Sequence, residues 1–192
     1  MKPRILAFAG STRTGSFNKK LVQIAAAGAR DAGAEVAVID LRDYAMPLYD
    51  GDLEAQSGLP EAAKRFKEIL LAHQGLLISS PEYNSSISAV LKNAIDWASR
   101  QSVTGEEPLA CFKNKVAGLM AASPGMLGGL RGLVHLRAIL GNIQVLVIPD
   151  QIAVTKAHEA FQPDGSLRDA KQAAAVHAIG EKVTRLLQKL NA

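Results

Sequence analysis

The sequence predicts a doubly wound α/β fold, a parallel sheet with helices on both faces. Three observations carry this reading. Short runs apolar at every position alternate with stretches whose apolar residues recur at steps of three and four. Strands without a polar face are buried on both sides, as in a parallel sheet. The chain has 192 residues, a length that one domain accommodates. We therefore read residues 1–192 as a single domain.

The elements follow in order. Ile5-Leu6-Ala7-Phe8-Ala9 is the first strand and ends at Gly10. Leu21, Ile24, Ala25 and Gly28 mark a helix that Gly33 terminates. Val36 to Ile39 is the second strand, ending at Asp40. A long connection runs from Leu41 to Leu59, broken by Pro47, Gly51 and Gly58. Pro60 sits at the next helix start, where a missing N–H does no harm. Ala62, Phe66, Ile69 and Leu70 form that helix's inward stripe. Leu76 to Ser79 is the third strand, cut off by Pro81. A loop leads to Ser88, a cap for the helix carrying Leu91, Ala94, Ile95 and Ala98. Val116 to Met120 is the fourth strand, and a Gly-rich loop spans Ser123 to Gly129. Leu130 to Leu140 is helical and Val145 to Ile148 is the fifth strand. Asp150 to Arg168 reads as irregular, with a turn at Pro163-Asp164-Gly165. The last helix buries Val176, Ile179, Val183, Leu186, Leu187 and Leu190.

Composition removes several function classes. No uninterrupted apolar run reaches the ~18 residues of a membrane span. The N-terminus lacks the long apolar region and cleavage site of a signal peptide. The single cysteine, Cys111, excludes an intrachain disulfide and a multi-cysteine metal site. These features predict a soluble cytoplasmic protein. A net charge of +4 with a pI near 9.3 fits anionic partners, but it is too dispersed for nucleic acid. His73, His135, His158 and His177 are scattered and read as surface or packing residues. Cys111 reads as a packing residue.

Ligands of such folds bind beyond the carboxyl ends of the strands, and three loops stand there. The first is Gly10-Ser11-Thr12-Arg13-Thr14-Gly15-Ser16-Phe17-Asn18. It opens a helix, so free N–H groups and the positive end of the dipole face an anion. Its hydroxyls and Arg13 suit phosphate, and Asn18 can cap the helix. A Walker A loop would need Lys where Ser16 stands. A dinucleotide fingerprint would need Gly where Thr12 stands, although Asp40 occupies the place of a ribose-binding acid. The second loop, Ser79 to Ser88, offers the π-face of Tyr83 and the amide of Asn84 to a flat ring. The third, Ser123 to Gly129, lets backbone approach a ligand closely because glycine has no Cβ.

The first loop resembles the G-S-x-R-x-x-S-x-N phosphate loop of the NADPH-dependent FMN reductase family. Pro81-Glu82-Tyr83-Asn84-Ser85-Ser86-Ile87 and Leu91-Lys92-Asn93-Ala94-Ile95-Asp96-Trp97 resemble its second signature, P-E-Y-N-x-S-I-x-x-x-L-K-N-A-I-D-W. Ser123 to Gly129 is similar to its third flavin loop. Ser88 and Ala89 depart from the family's commoner proline and glycine. The resemblance implies a flavodoxin-like sheet of five parallel strands in the order 2-1-3-4-5. It implies FMN as cofactor, with NADPH or NADH as co-substrate. Ser11, Arg13, Ser16 and Asn18 would hold the phosphate, with Phe17 beside them. Pro81, Glu82, Tyr83, Asn84 and Ser85 would line the ring. Ser123 and Gly125 would approach it from the third loop. A ping-pong passage of hydride from NAD(P)H through FMN to a flavin, quinone, azo dye or chromate is expected, without a catalytic side chain or metal. The runner-up is an FMN electron carrier, whose usual acidity this basic chain lacks. The resemblance also implies a homodimer or homotetramer, with Trp97 buried and Asp96 in an interhelix pair.

Overall fold

A computed structural model describes residues 2–190. In chain order it contains β1 (Arg4–Ala9), α1 (Phe17–Asp31), β2 (Glu35–Asp40), a 3-10 turn (Leu41–Tyr44), α2 (Gly51–Ser57), α3 (Glu61–Leu71) and β3 (Gly75–Ser79). Then come β4 (Glu82–Tyr83), β5 (Ser86–Ile87), α4 (Ala89–Ala98), β6 (Val116–Ala122), α5 (Leu130–Asn142), β7 (Leu146–Val154), α6 (Ala157–Ala160) and α7 (Ala170–Leu190). Five strands pair in the order β2-β1-β3-β6-β7, all parallel. Counting only these strands along the chain, the order is 2-1-3-4-5, as the resemblance implied.

The period-two geometry of a strand divides the core into two layers. Ile5 and Ala7 of β1 face α1 and α7, among Leu21, Ala25, Val176, Ile179 and Val183. Leu6 and Phe8 face α3, α4 and α5, among Phe66, Leu70, Leu91, Ile95, Leu133 and Leu136. On the first layer two glycines bring helices into backbone contact. A Cβ at Gly28 would lie 2.0 Å from the His177 carbonyl oxygen, and one at Gly180 would lie 1.9 Å from that of Ala25. The α1–α7 pair therefore holds the helix that begins at the first loop.

The connection from Leu41 to Leu59 is more ordered than its Pro and Gly content suggests. It contains the 3-10 turn and α2. The Asp50 carboxylate accepts from Asp52 N at 2.8 Å to start α2, and Gly58 at φ 69° ends it. The fifth strand of the sheet, β7, extends to Val154, past the expected end at Ile148. Its register against β6 slips between Ala117 and Leu119, beside Pro149, which has no N–H to give the ladder. Arg137 donates to the Ile148 carbonyl at 2.9 Å and to Gln151 Oε1 at 3.0 Å, so the irregular stretch keeps its partners. Strand character beyond Ile148 was hidden by that proline. In α7 the buried side is continued by Gly180 and Thr184, whereas Leu190 is exposed.

Candidate functional site

The ends of β1, β3 and β6 bring the three loops together. Ser11, Arg13, Ser16, Phe17, Asn18, Pro81, Glu82, Tyr83 and Ser123 all line one cleft, with Ala122 and Pro124. Asn84, Ser85 and Gly125 lie outside that lining. Asn84 and Ser85, at φ 50° and 66°, are the central residues of the two-residue turn joining β4 to β5. Two-residue strands are too short for an alternating pattern, so this hairpin reads as a loop from sequence.

The first wall gathers hydrogen-bond donors left unpaired among the described residues. Ser16 occupies the N-cap position of α1 but makes no side-chain capping bond, and the first turn carries no acid. Among the described residues, the backbone N–H groups of Ser16, Phe17 and Asn18 donate to no chain acceptor. Ser11 and Ser16 are buried at the cleft, and Ser11 Oγ accepts from Arg13 N at 3.3 Å. The exposed Arg13 guanidinium makes no hydrogen bond or ion pair among the described residues, so its five donors are available.

Asn18 does not cap the helix. It lies inside α1, and its buried side chain is a clamp across the sheet. Nδ2 donates to Ala122 O at 2.9 Å, while Oδ1 accepts from Ala122 N at 2.9 Å and from Ser79 Oγ at 2.8 Å. The residue thus ties the first loop's helix to the ends of β3 and β6.

Glu82 lines the cleft and is likewise a fastener. Its Oε2 accepts from Gly132 N at 3.0 Å and its Oε1 from the Arg131 guanidinium at 2.9 Å. Burial alone would raise this carboxyl, but the Gly132 and Arg131 hydrogen bonds outweigh it and hold the pKa below its ordinary value. The hairpin is thereby locked to the start of α5. Gly132 makes that approach possible, since a Cβ there would lie 3.2 Å from the Ser86 carbonyl oxygen. Tyr83 leaves 52% of its surface exposed above this frame.

Behind the cleft, Ser88 caps α4 as expected: its Oγ accepts from Leu91 N at 3.3 Å and donates to Gly10 O at 2.6 Å. Asn93 and Trp97 both donate to Pro47 O, at 2.8 and 2.9 Å, and Asn93 Oδ1 accepts from Tyr49 N at 2.8 Å. Trp97 is fully buried. The Asp96 carboxylate pairs with Lys92 at 2.7 Å one turn away on the same helix, so the expected interhelix pair is not formed. Lys92 at i−4 reaches it first.

The remaining titratable groups lie elsewhere. The Cys111 thiol is buried beside Lys67 O, and burial pushes its pKa up to about 11. His177 meets Asp31 of α1 at 2.9 Å and Glu181, one turn on along α7, at 3.2 Å. Among the described residues no cluster of His, Cys, Asp and Glu could hold a metal ion.

The chain is similar to several known proteins. A family model described as NADPH-dependent FMN reductase matches residues 3–159. The NAD(P)H-dependent FMN reductase PA1204 of Pseudomonas aeruginosa is 38% identical over 169 residues, covering 88% of this chain and 86% of that one. The quinone reductase of Escherichia coli K12 is 35% identical over 151 residues, covering 77% and 74%. Among solved structures, the flavoenzyme NAD(P)H:(acceptor) oxidoreductase FerB of Paracoccus denitrificans superposes with a TM-score of 0.80 at 28% identity, covering 97% and 98%.

Proposed function

Because the chain belongs to the NADPH-dependent FMN reductase family, we propose that it is an NAD(P)H-dependent oxidoreductase working through FMN held in the three-loop cleft. The observation that carries this reading is the unspent donor set around Ser16. An uncapped helix N-terminus, two buried hydroxyls and an unpaired Arg13 converge where the loops meet. That set fits a phosphate dianion. The exposed Tyr83, with Pro81, Ser123 and Pro124 on the same cleft, suits the edge and face of a flat ring.

Bound there, FMN would supply the hydride chemistry that links NADPH or NADH to the acceptor. The chain's residues supply place and field. Ser11, Ser16, Arg13 and the α1 amides anchor the phosphate, with Phe17 and Asn18 framing them. Pro81, Glu82, Tyr83, Asn84 and Ser85 shape one side of the ring site, and Ser123 and Gly125 the other. Quinones, flavins, azo dyes and chromate are the acceptor classes proposed. A quinone is the first to test, given the name borne by the E. coli relative.

No helix among the described residues is long and apolar enough to cross a membrane; a cytoplasmic location is part of the proposal. A homodimer or homotetramer is proposed from Met126, Leu127, Leu130 and Val134. These apolar side chains lie exposed along the third loop and α5.

Anaerobic reduction tests the proposal. Purified protein is expected to show an oxidised flavin band near ~450 nm that bleaches with NADPH or NADH. Persistent colour with both would overturn the reductase reading. Arg13→Ala is expected to weaken FMN binding by about 1.5–3 kcal/mol, the value of a charged hydrogen bond; unchanged affinity would place the phosphate elsewhere. Steady-state rates with NADPH and a quinone should give parallel double-reciprocal lines, and intersecting lines would exclude simple ping-pong.

A further inference from the structure

We propose that Arg42, which lies outside both signatures and outside the cleft lining, is a positioning residue that sets the phosphate loop for its anion. The inference rests on reading the cleft as the site of the FMN phosphate.

Arg42 belongs to the 3-10 turn after β2, yet its side chain reaches back thirty residues along the chain. Nε donates to Thr12 O at 3.1 Å, Nη2 donates to the same oxygen at 2.5 Å, and Nη2 also reaches Thr14 Oγ1 at 3.1 Å. A two-pronged grip on one carbonyl fixes the direction of that peptide plane, which a lysine's single ammonium cannot do.

The consequence lies on the other side of the same peptide. No cis peptide occurs among the described residues, and in a trans peptide the C=O and N–H point in opposite directions. With Thr12 O drawn outward to Arg42, Arg13 N–H is turned the other way. There it donates to Ser11 Oγ, the buried hydroxyl lining the cleft. A rotated Thr12–Arg13 peptide would instead present a carbonyl oxygen to the anion. The grip therefore keeps Arg13 N–H on Ser11 Oγ, whose own proton stays free for the phosphate, and holds the Thr12 carbonyl away from the anion. It also adds positive charge beside the loop, since none of its side-chain bonds goes to a carboxylate.

Arg42 is itself held in place. Its backbone N–H donates to Asp40 Oδ1 at 3.0 Å, and Asp40 Oδ2 accepts from Lys19 of α1 at 2.5 Å. The chain Lys19–Asp40–Arg42–Thr12 closes a ring through α1, the end of β2 and the loop between β1 and α1.

The test compares FMN with riboflavin, which has the same ring and no phosphate. The full chain, freed of flavin by dialysis, is titrated with each by quenching of flavin fluorescence. Wild type is expected to prefer FMN. Arg42→Ala should weaken FMN by about tenfold and leave riboflavin unchanged. Arg42→Lys should recover part of the loss, returning the charge without the fork. The proposal is overturned if Arg42→Ala binds FMN within about twofold of wild type, or if both flavins weaken equally. A wild type that binds both flavins alike would instead refute the phosphate reading of the cleft, and this inference with it.

Discussion

Asn18 sits in the loop motif as though it served the ligand, but its side-chain bonds make it a structural clamp. Replacing it separates the two roles. Asn18→Ala removes three buried hydrogen bonds, to Ala122 N, Ala122 O and Ser79 Oγ. Ser79 can turn its hydroxyl to another acceptor, whereas the two Ala122 groups are fixed by the strand. Leaving a buried donor or acceptor unpaired costs about 1–3 kcal/mol, so two of them set a loss of about 3 kcal/mol. For a chain of this size that is a fall of roughly 6–12 °C in Tm. Urea denaturation of the flavin-free chain measures it, and a loss under about 1 kcal/mol would refute the clamp.

Asn18→Asp sharpens the test through pH. The carboxylate keeps the two contacts that Oδ1 accepts, but it faces Ala122 O with an oxygen where Nδ2 had donated. Only the protonated acid can restore that bond. The buried Asp is therefore expected to have a folded pKa above the unfolded value of about 3.9. Its contribution is fully present below that value and lost as pH rises through the folded pKa. Relative to wild type, the variant should gain stability as pH falls from neutral toward 4. A difference from wild type that ignores pH would refute the assigned hydrogen-bond directions.

Three further outcomes follow from the same contacts. Gly180→Ala should lose at least about 2 kcal/mol despite alanine's better helix propensity, because the new Cβ meets Ala25 O at 1.9 Å and Ala29 N at 2.6 Å; unaltered urea stability would show that α1 and α7 can part freely. Glu82→Gln should cost about 1–2 kcal/mol at neutral pH, discounting the half-exposed Arg131. Since the Glu82 pKa is held below its ordinary 4.5, its contribution exists above that value and fades as pH falls through the folded pKa. The gap between wild type and variant should therefore close in acid, and a gap that stays constant would refute the ion-pair account. Cys111, buried with a pKa near 11, should resist alkylation at pH 8 until the chain is unfolded; rapid labelling of the native protein would contradict its burial.

The sheet was legible because short runs such as Leu76 to Ser79 are apolar at nearly every position and are bounded by turn residues such as Pro81. The cleft was legible because a parallel sheet exposes its loops at one end. What escaped were features set by contacts distant in sequence. The continuation of β7 past Pro149 depends on Arg137, twelve residues earlier. The order in 41–59 depends on Asn93 and Trp97 holding Pro47 O. Nothing local to Glu82 announces Arg131 as its partner, forty-nine positions on. Periodicity reports which face is buried; it does not report which carbonyl a buried amide will find.

That separation recasts the signatures themselves. Of the residues that made the chain recognisable, Asn18, Glu82, Asn93 and Trp97 spend their polar atoms on the protein. Ser88 does the same, bridging α4 to Gly10 O. Arg13, the Ser11 and Ser16 hydroxyls, the amides at Ser16 to Asn18 and the exposed Tyr83 are what remain for a ligand. Where loop amides supply donors beside Ser11, Ser16 and Arg13, their direction is set by the contacts that hold the backbone from outside. Asn18 fixes it to β6, Ser88 fixes Gly10 to α4, and Arg42 turns the Thr12 carbonyl away. The motif is thus mostly the frame of the site. A substitution in it should be read first as a change in the position of the loop amides, and only then as the loss of a ligand contact.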